Sequence, residues 1–406
     1  MKNGNLRRLA LVWGALMIAV ISSTATLLVS GRAGRGEGES RRWVTQAEYD
    51  TIQRYSRLDE VREALMKDYY REVDEDTLVL GAIRGMTGSL EDPYTFYYTP
   101  EELKRENEDT TGVYYGIGTL LQNTAEGEIE IVRVFPNSPA EAAGVHTGDV
   151  ILAVDGVAVT GVDGRSYLEA VRRMRGGEGT QVTLTIRRNG ERMAIPITRG
   201  DVKISYASYQ VLPGNIGYIS ITQFTGDAAQ VFQEAIEAFQ AQDVTGLVID
   251  LRNNPGGLLD QVVSIADTLL PDGLIVYTKQ RDGTRQDYYS NAAFYDVPLA
   301  VLVNGMSASA SEILAGSVQA LGRGTVVGLT TYGKGVVQSL QTFQADSAGM
   351  QLTTASYFDA LDRCPQGVGV KPDVEVALEG SSLPLEPDPV SDNQLAEAIR
   401  LVSGGR

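Results

Sequence analysis

Three serines and one lysine carry the densest chemistry in this chain. The segment VLVNGMSASASE (301–312) places Ser307, Ser309 and Ser311 between an apolar run, 299–303, and a helical pattern that begins near Ser311 or Glu312. A serine turn between a buried strand and a helix N-terminus exposes a hydroxyl, and the unpaired N–H groups of the first helical turn converge beside it. An oxyanion formed there meets donors already in place. A hydroxyl needs a base to act as a nucleophile at neutral pH. The chain has one histidine, His146, in the polar turn AGVHTGD of a different segment, so a Ser-His-Asp triad has little to rest on. Lysine is the remaining common base, and Lys334, between two glycines in TYGKGVVQ (331–338 reads TYGKGVVQ), is the candidate. An exposed lysine titrates near ~10.4. Apolar and small surroundings penalise the ammonium form and lower that value. Gln338, four residues on, offers a neutral amide that orients an amine without favouring its charged form.

Plainer readings compete. SASAS also suits a tight turn with helix-capping serines, and Lys334 also suits a surface turn. GLTTYGK (328–334) fits the glycine-and-lysine frame of a phosphate loop, but Gly335 stands where that motif needs a magnesium-binding hydroxyl, which argues against a nucleotide.

The motifs SASASE (307–312) and TYGKGVVQ, preceded by DLRNNPGGLL (250–259), resemble those of the carboxyl-terminal processing peptidases, serine proteases with a PDZ domain. All three occur in the family's order and at compatible spacing, and the likeness extends over nearly the whole chain after the first forty residues. The resemblance implies Ser309 as the nucleophile, a choice over Ser307 and Ser311 that spacing leaves open. It implies Lys334 as general base, Gln338 as the group that positions it, and an oxyanion hole from the N–H groups of Ala310 and of Gly256 or Gly257. The stretch SPAEAAGVHTGDVILAVDG (138–156) is similar to the core of PDZ domains in exported proteases, which take a C-terminal peptide as an added strand. The family's carboxylate loop falls on Tyr115, Gly116, Ile117 and Gly118. Arg175 matches a position where the family tends to have arginine, and is a candidate for coupling peptide binding to proteolysis; a helix-ending charge is the simpler account. The segment SYFDALDRCPQGVGV (356–370) departs from the family's pattern and leaves the loop's effect open.

Length and composition bound the rest. At 406 residues the chain holds two or three domains, and a net charge of −17 argues against nucleic acid. A single cysteine, Cys364, excludes an internal disulfide, and with one histidine a zinc site is not expected. No metal or organic cofactor is needed by the expected chemistry. Lys2, Arg7 and Arg8 precede an apolar run, 9–30, long enough to cross a bilayer. The charges favour an N-terminus inside and the rest outside the cytoplasm, in the periplasm or at the exterior of a cell envelope. An uncleaved signal anchor, with the membrane as a partner, is preferred over a cleaved signal peptide that would leave the protein secreted.

The expected architecture is an α/β protease core with a mainly parallel sheet, an inserted PDZ-like β-rich domain and a helical N-terminal segment. Helices are expected at 48–70 and 76–86. Strands at 117–121, 129–134, 150–154, 181–187 and 191–198, with helices at 140–144 and 167–174, make the β-rich module. Strands at 216–221, 244–250, 273–277, 299–303 and 325–327 alternate with helices at 228–240, 257–270 and 311–321, the pattern of a sheet buried on both faces. A capped helix is expected at 392–402. The resulting division is an anchor or signal peptide at 1–30, a flexible spacer at 31–42, the helical segment at 43–106, the PDZ domain at 107–200, the peptidase domain at 201–383, and a linker with the C-terminal helix at 384–406. The sequence thus reads as an exported serine endopeptidase acting on precursor or misfolded proteins with exposed C-termini. A catalytically silent PDZ scaffold at the cell envelope is the alternative. By family analogy a homodimer is expected, with the N-terminal and C-terminal helical segments as contacts.

Overall fold

The computed structural model describes residues 44–404, apart from 125–126, 160–164, 381–382 and 385. The expected anchor and spacer lie outside the described residues, and no helix among the described residues is long and apolar enough to cross a membrane. The chain separates into two compact units, up to Leu80 and from Gly81 onward.

The first unit is dominated by the helix Gln46–Asp68, two residues earlier than its apolar spacing predicts. Thr45 and Glu48 form a capping box, which fixes the start. The helix buries none of its residues; Tyr49, Ile52, Tyr55, Leu58 and Val61 are all exposed.

The second unit is built on a six-stranded sheet whose order is Ala207–Leu212, Ile216–Ile221, Gly246–Asp250, Leu299–Val303, Thr325–Gly328 and Val374–Glu375. Its first pair is antiparallel and the remaining four are parallel. Every residue of the two central strands is buried, as both-face coverage demands. Helices Ala228–Ala241, Leu259–Leu269 and Ala310–Ala320 cover one face through Phe232, Ile236, Phe239, Val262 and Leu314. The C-terminal helix Asn393–Ser403 covers the other through Leu395, Ala398 and Val402.

That C-terminal helix is tied to the end of the central strand by ion pairs. Arg252 is buried and bonds Asp250, Asp392 (2.7 Å) and Gln394 (3.0 Å), while the Tyr218 hydroxyl donates to Asp250 at 2.8 Å. Removing Asp392 strips the buried Arg252 of one of its two carboxylates and the C-terminal helix of its N-cap. Asp392→Ala is therefore expected to destabilise the protein by about 3–5 kcal/mol, read as a lowered midpoint in urea unfolding; a midpoint equal to that of the parent would refute it.

A second, antiparallel sheet was not expected. It runs Phe96–Tyr98, Gly349–Phe358, Gly273–Gln280, Arg285–Ser290, with Val336–Thr342 paired along Gly349–Phe358. The strand expected at 273–277 belongs here, outside the parallel sheet. The paired strands at 336–342 and 349–358 are rich in Gln, Ser and Thr and mostly half-buried or exposed, so neither shows a buried face in its alternation.

The β-rich module is inserted between Phe96–Tyr98 and the six-stranded sheet. The chain enters and leaves through an antiparallel ribbon, Val113–Gly116 with Gly200–Lys203. Its own sheet runs Thr119–Asn123, Ile129–Val134, Val150–Val154, Gln181–Arg188, Glu191–Thr198, so Thr119–Asn123 is an edge strand. The hairpin turn at Asn189-Gly190 has both residues at positive φ, 50° and 84°. The strand expected at 117–121 starts two residues later. Gly118 sits at φ 82°, where a Cβ would lie 2.3 Å from the Ser138 Cβ, and this turn delays the ladder.

Candidate active site

Three turns at strand ends of the parallel sheet meet at one place. Asn254, in the NPGG turn, is fully buried and knits two of them. Its backbone carbonyl accepts from the Ala308 N–H and the Ser311 hydroxyl, both at 3.0 Å. Asn304 and Asn253 bond each other through Nδ2 and Oδ1 at 2.8 Å. The Tyr332 N–H donates to the Ser307 carbonyl at 3.0 Å, which brings in the lysine turn.

These contacts sort the three serines. Ser307 is buried and its hydroxyl donates to the Leu251 carbonyl at 2.8 Å. Ser311 is buried and donates to Asn254. Ser309 alone of the three lines a cleft of about 450 Å³, together with Gly256, Gly257, Ala310, Lys334 and Gln338. The helix here begins at Ala310 with Ser309 as its N-cap, earlier than the expected start. Ser309 has φ 54° and ψ −111°, a strained conformation for a residue with a Cβ.

Two buried side chains hold that strain, and neither is signalled as functional by residue type. The Glu312 carboxylate, only 1% exposed, accepts the Ser309 N–H (2.8 Å) and the Lys334 N–H (2.8 Å) on Oε2. On Oε1 it accepts the Thr331 hydroxyl (2.6 Å) and the Gly333 N–H (2.7 Å). The Tyr357 phenol lies within bonding distance of the carbonyl oxygens of Ser309 (3.1 Å) and Lys334 (2.8 Å). Serine and lysine are therefore tied to each other through their backbones on both sides. The spacing Ser309-x-x-Glu312 is a capping-box signature, and that was the one available hint of Glu312. Tyr357, 48 residues from Ser309, left none.

Gly256 and Gly257 sit at φ 108° and 144°. A Cβ on Gly256 would stand 2.8 Å from the Ser309 Cβ, so the turn packs directly on the serine. The Gly256 N–H donates to Asn254 Oδ1 at 2.8 Å. The N–H groups of Gly257 and Ala310 have no acceptor among the described residues.

Lys334 is half-buried. Burial lowers its pKa from the usual lysine range, against the opposing pull of Asp92 and Glu312. Its Nζ lies 4.5 Å from the centroid of the Tyr94 ring. Among the described residues no hydrogen bond joins Lys334 Nζ to the Ser309 hydroxyl or to Gln338. The Gln338 amide donates instead to the Thr353 hydroxyl at 3.2 Å. If a neutral Lys334 is the base, kcat/KM rises with pH as the ammonium is lost, with a midpoint below the usual ~10.4 of lysine. A rate flat from pH 5 to 9 would exclude that role.

The divergent segment braces the lysine turn. The Gly335 N–H donates to the Gln366 side chain (2.7 Å), the Gly367 N–H to the Gly333 carbonyl (2.9 Å), and the Cys364 thiol sits 3.6 Å from the Gly335 carbonyl. Among the described residues no cluster of His, Cys, Asp or Glu could hold a metal. His146 is exposed in its turn, remote in sequence from the cleft residues.

In the β-rich module, the carbonyls of Ile117 and Gly118 accept from Ala140 (2.7 Å) and Phe135 (3.0 Å). The N–H groups of Ile117 and Gly118 have no acceptor among the described residues. Tyr115 is exposed and Gly116 closes the linking ribbon. Thr119, next in the chain, has a buried hydroxyl without a hydrogen-bond partner. The Arg175 guanidinium stacks 4.6 Å from the centroid of the Tyr114 ring, on the linking ribbon.

Known proteins resemble this chain along most of its length. Residues 215–376 match Peptidase family S41, residues 130–188 a PDZ domain, and residues 24–102 the N-terminal domain described for the activating protease CtpB. A carboxy-terminal-processing protease of Bartonella bacilliformis is 38% identical over 342 residues, 82% of this chain and 77% of that protein. The carboxy-terminal processing protease CtpA of Bacillus subtilis is 32% identical over 92% of this chain and 78% of that protein. A crystal structure ascribed to an S41 protease of Bacteroides fragilis covers 90% of this chain and 99% of that one with a TM-score of 0.56 at 18% identity, a likeness of fold. The chain belongs to the carboxy-terminal processing proteases, serine-type peptidases of family S41 that carry a PDZ domain.

Proposed function

We propose that the protein is an endopeptidase with a Ser309–Lys334 dyad, acting outside the cytoplasm on precursor or misfolded proteins selected through their C-termini. The observation that carries the reading is that Ser309, Lys334 and two unpaired N–H groups, those of Gly257 and Ala310, line one cleft while Ser307 and Ser311 are bonded to buried carbonyls. The neutral Lys334 amine takes the Ser309 proton as Oγ adds to the scissile carbonyl. The oxyanion receives the Gly257 and Ala310 N–H groups, because Gly256 already donates to Asn254. The lysine then protonates the leaving amine, and the acyl-serine remains. Water attacks that ester, giving its proton to the same amine, and Ser309 is regenerated. Gln338 steadies the lysine when substrate displaces its present contact with Thr353.

Acid-quenched turnover followed by peptide mapping tests this. A substrate-derived acyl mass is expected on Ser309. The same mass on Ser307 or Ser311, or none under steady turnover, would remove the proposal.

Selection of substrate rests on the open edge strand Thr119–Asn123, the unpaired N–H groups of Ile117 and Gly118 and the partnerless Thr119 hydroxyl, which together suit a peptide strand ending in a carboxylate. Amidating the C-terminus of an unfolded protein substrate should raise its KM by about tenfold, in line with the loss of a charge-assisted anchor. Arg175 stacks on the ribbon that joins the two domains and is proposed to couple them. Arg175→Ala should slow cleavage of a full protein more than that of a short peptide; equal rates for both would exclude coupling. Membrane attachment through residues 9–30 and a homodimer are further parts of the proposal. The mass of the full-length protein in detergent tests the second.

A further inference from the structure

The Lys334 amine makes no hydrogen bond to Ser309, the contact its proposed role requires, and stands instead over the Tyr94 ring. The turn Asp92-Pro93-Tyr94-Thr95 is bonded internally and to the strand beside it. Asp92 accepts the Tyr94 N–H (3.0 Å) and the Thr95 hydroxyl (2.6 Å). Thr95 in turn accepts the Thr353 N–H at 3.1 Å, and the Gln351 side chain donates to the Tyr94 carbonyl at 3.2 Å. The adjoining strand Phe96–Tyr98 pairs with Gly349–Gln351. The turn is thus fastened to the strand whose Thr353 also holds Gln338. Against this wall stands the lysine, its Nζ 4.5 Å from the Tyr94 ring centroid and within the field of Asp92, with which it forms no ion pair.

We propose that Tyr94, backed by Asp92, is a positioning residue that holds the Lys334 ammonium away from Ser309 until substrate fills the cleft. This rests on the reading of Lys334 as base. An aromatic face attracts a cation and has no comparable affinity for a neutral amine. The Tyr94 perch therefore favours the protonated, idle lysine. Peptide entering the cleft removes water from around Nζ, which disfavours the charged form, and the neutral amine no longer gains from the ring. The other groups facing this region are Glu312, whose carboxylate is occupied by three N–H groups and a hydroxyl; Tyr332, beside the Tyr94 phenol; Tyr357, on the Lys334 carbonyl; Cys364, behind Gly335; and Glu106, on the cleft rim. Asp92 and Glu312 favour the ammonium, but the Glu312 carboxylate is taken up by the turn's backbone N–H groups and does not select a position for Nζ.

The test compares Tyr94→Leu, Tyr94→Phe and Asp92→Asn in the full-length protein by two readouts. In a Ser309→Ala background, the pH dependence of Lys334 acetylation by acetic anhydride, followed by mass spectrometry, gives the amine's titration without reference to catalysis. In the active protein, kcat/KM is measured against pH. Tyr94→Leu is expected to lower the lysine midpoint by about 0.4–1.5 pH units, the range of a cation–ring contact. Tyr94→Phe keeps the face and should leave the midpoint where it is, while Asp92→Asn should lower it. The acid limb of kcat/KM should move with the labelling midpoint, so that Tyr94→Leu is faster than the parent at low pH. A labelling midpoint that stays or rises in Tyr94→Leu, or falls equally in Tyr94→Phe, overturns the inference. Where Tyr94→Leu does not fold, an unshifted midpoint in Asp92→Asn overturns it. A shifted labelling midpoint with an unmoved rate profile would uphold the perch and sink Lys334 as base, so the two failures are separable.

Discussion

Ser309→Ala and Lys334→Ala are each expected to reduce cleavage of an unfolded protein by roughly a thousandfold or more, since members of a nucleophile–base pair act as a unit. The double variant should be little worse than either single one. Neither should unfold the protein. Ser309 is half-buried and lines the cleft, outside the apolar core, and Lys334 is a partly buried ammonium whose removal relieves a desolvation cost. Lys334→Arg discriminates further. Arginine keeps the charge and most of the length but does not deprotonate, so it should be as inactive as alanine. Activity in Lys334→Arg would show that the cation's charge, and not its proton-accepting form, is what the reaction uses. Cleavage persisting in Ser309→Ala would transfer the nucleophile elsewhere.

Glu312→Gln is expected to lower kcat by about a hundredfold with little change in KM, the size of effect seen when a reacting group is misplaced by an ångström. The argument is geometric. Each carboxylate oxygen of Glu312 receives two donors, so either orientation of a glutamine amide sets its NH₂ against two of them. Ser309 would relax from its strained φ of 54°, and the Lys334 backbone would lose its shared anchor. Stability should fall as well, by roughly 2–6 kcal/mol if two buried donors are left unmet at about 1–3 kcal/mol each. Kinetics well below the unfolding midpoint separate the two effects. A variant of normal kcat and lowered midpoint would reduce Glu312 to a structural acid. Tyr357→Phe, which removes the phenol from both carbonyls, should act in the same direction and more weakly.

Much of this protein is legible along the chain. The buried strands LVID and LAVLV and the helical spacing at 48–70 depend on local chemistry, and the structure places these elements within a few residues of expectation. The motif-bearing turns fall at strand ends of a mostly parallel sheet, as alternation of strand and helix implies. The second sheet was hidden because its strands are polar and half-exposed, and such strands carry no one-sided pattern.

The limits are as informative within the site. Sequence by itself determined the cast, namely a serine turn at a helix start, one lysine without a histidine to compete, and glycines able to approach the serine closely. It left Ser307, Ser309 and Ser311 equivalent, since the hydroxyls differ only in what lies across from them. Tertiary structure decided that two of the three bond to buried carbonyls and one lines the cleft. It decided that Gly256 donates within its own turn, that Glu312 and Tyr357 clamp serine and lysine together, and that Tyr94, 240 residues before Lys334, receives its amine. Burial, hydrogen-bond partners and the field at a lysine are properties of neighbours in space. Residue order constrains those neighbours only after loops of tens to hundreds of residues have closed.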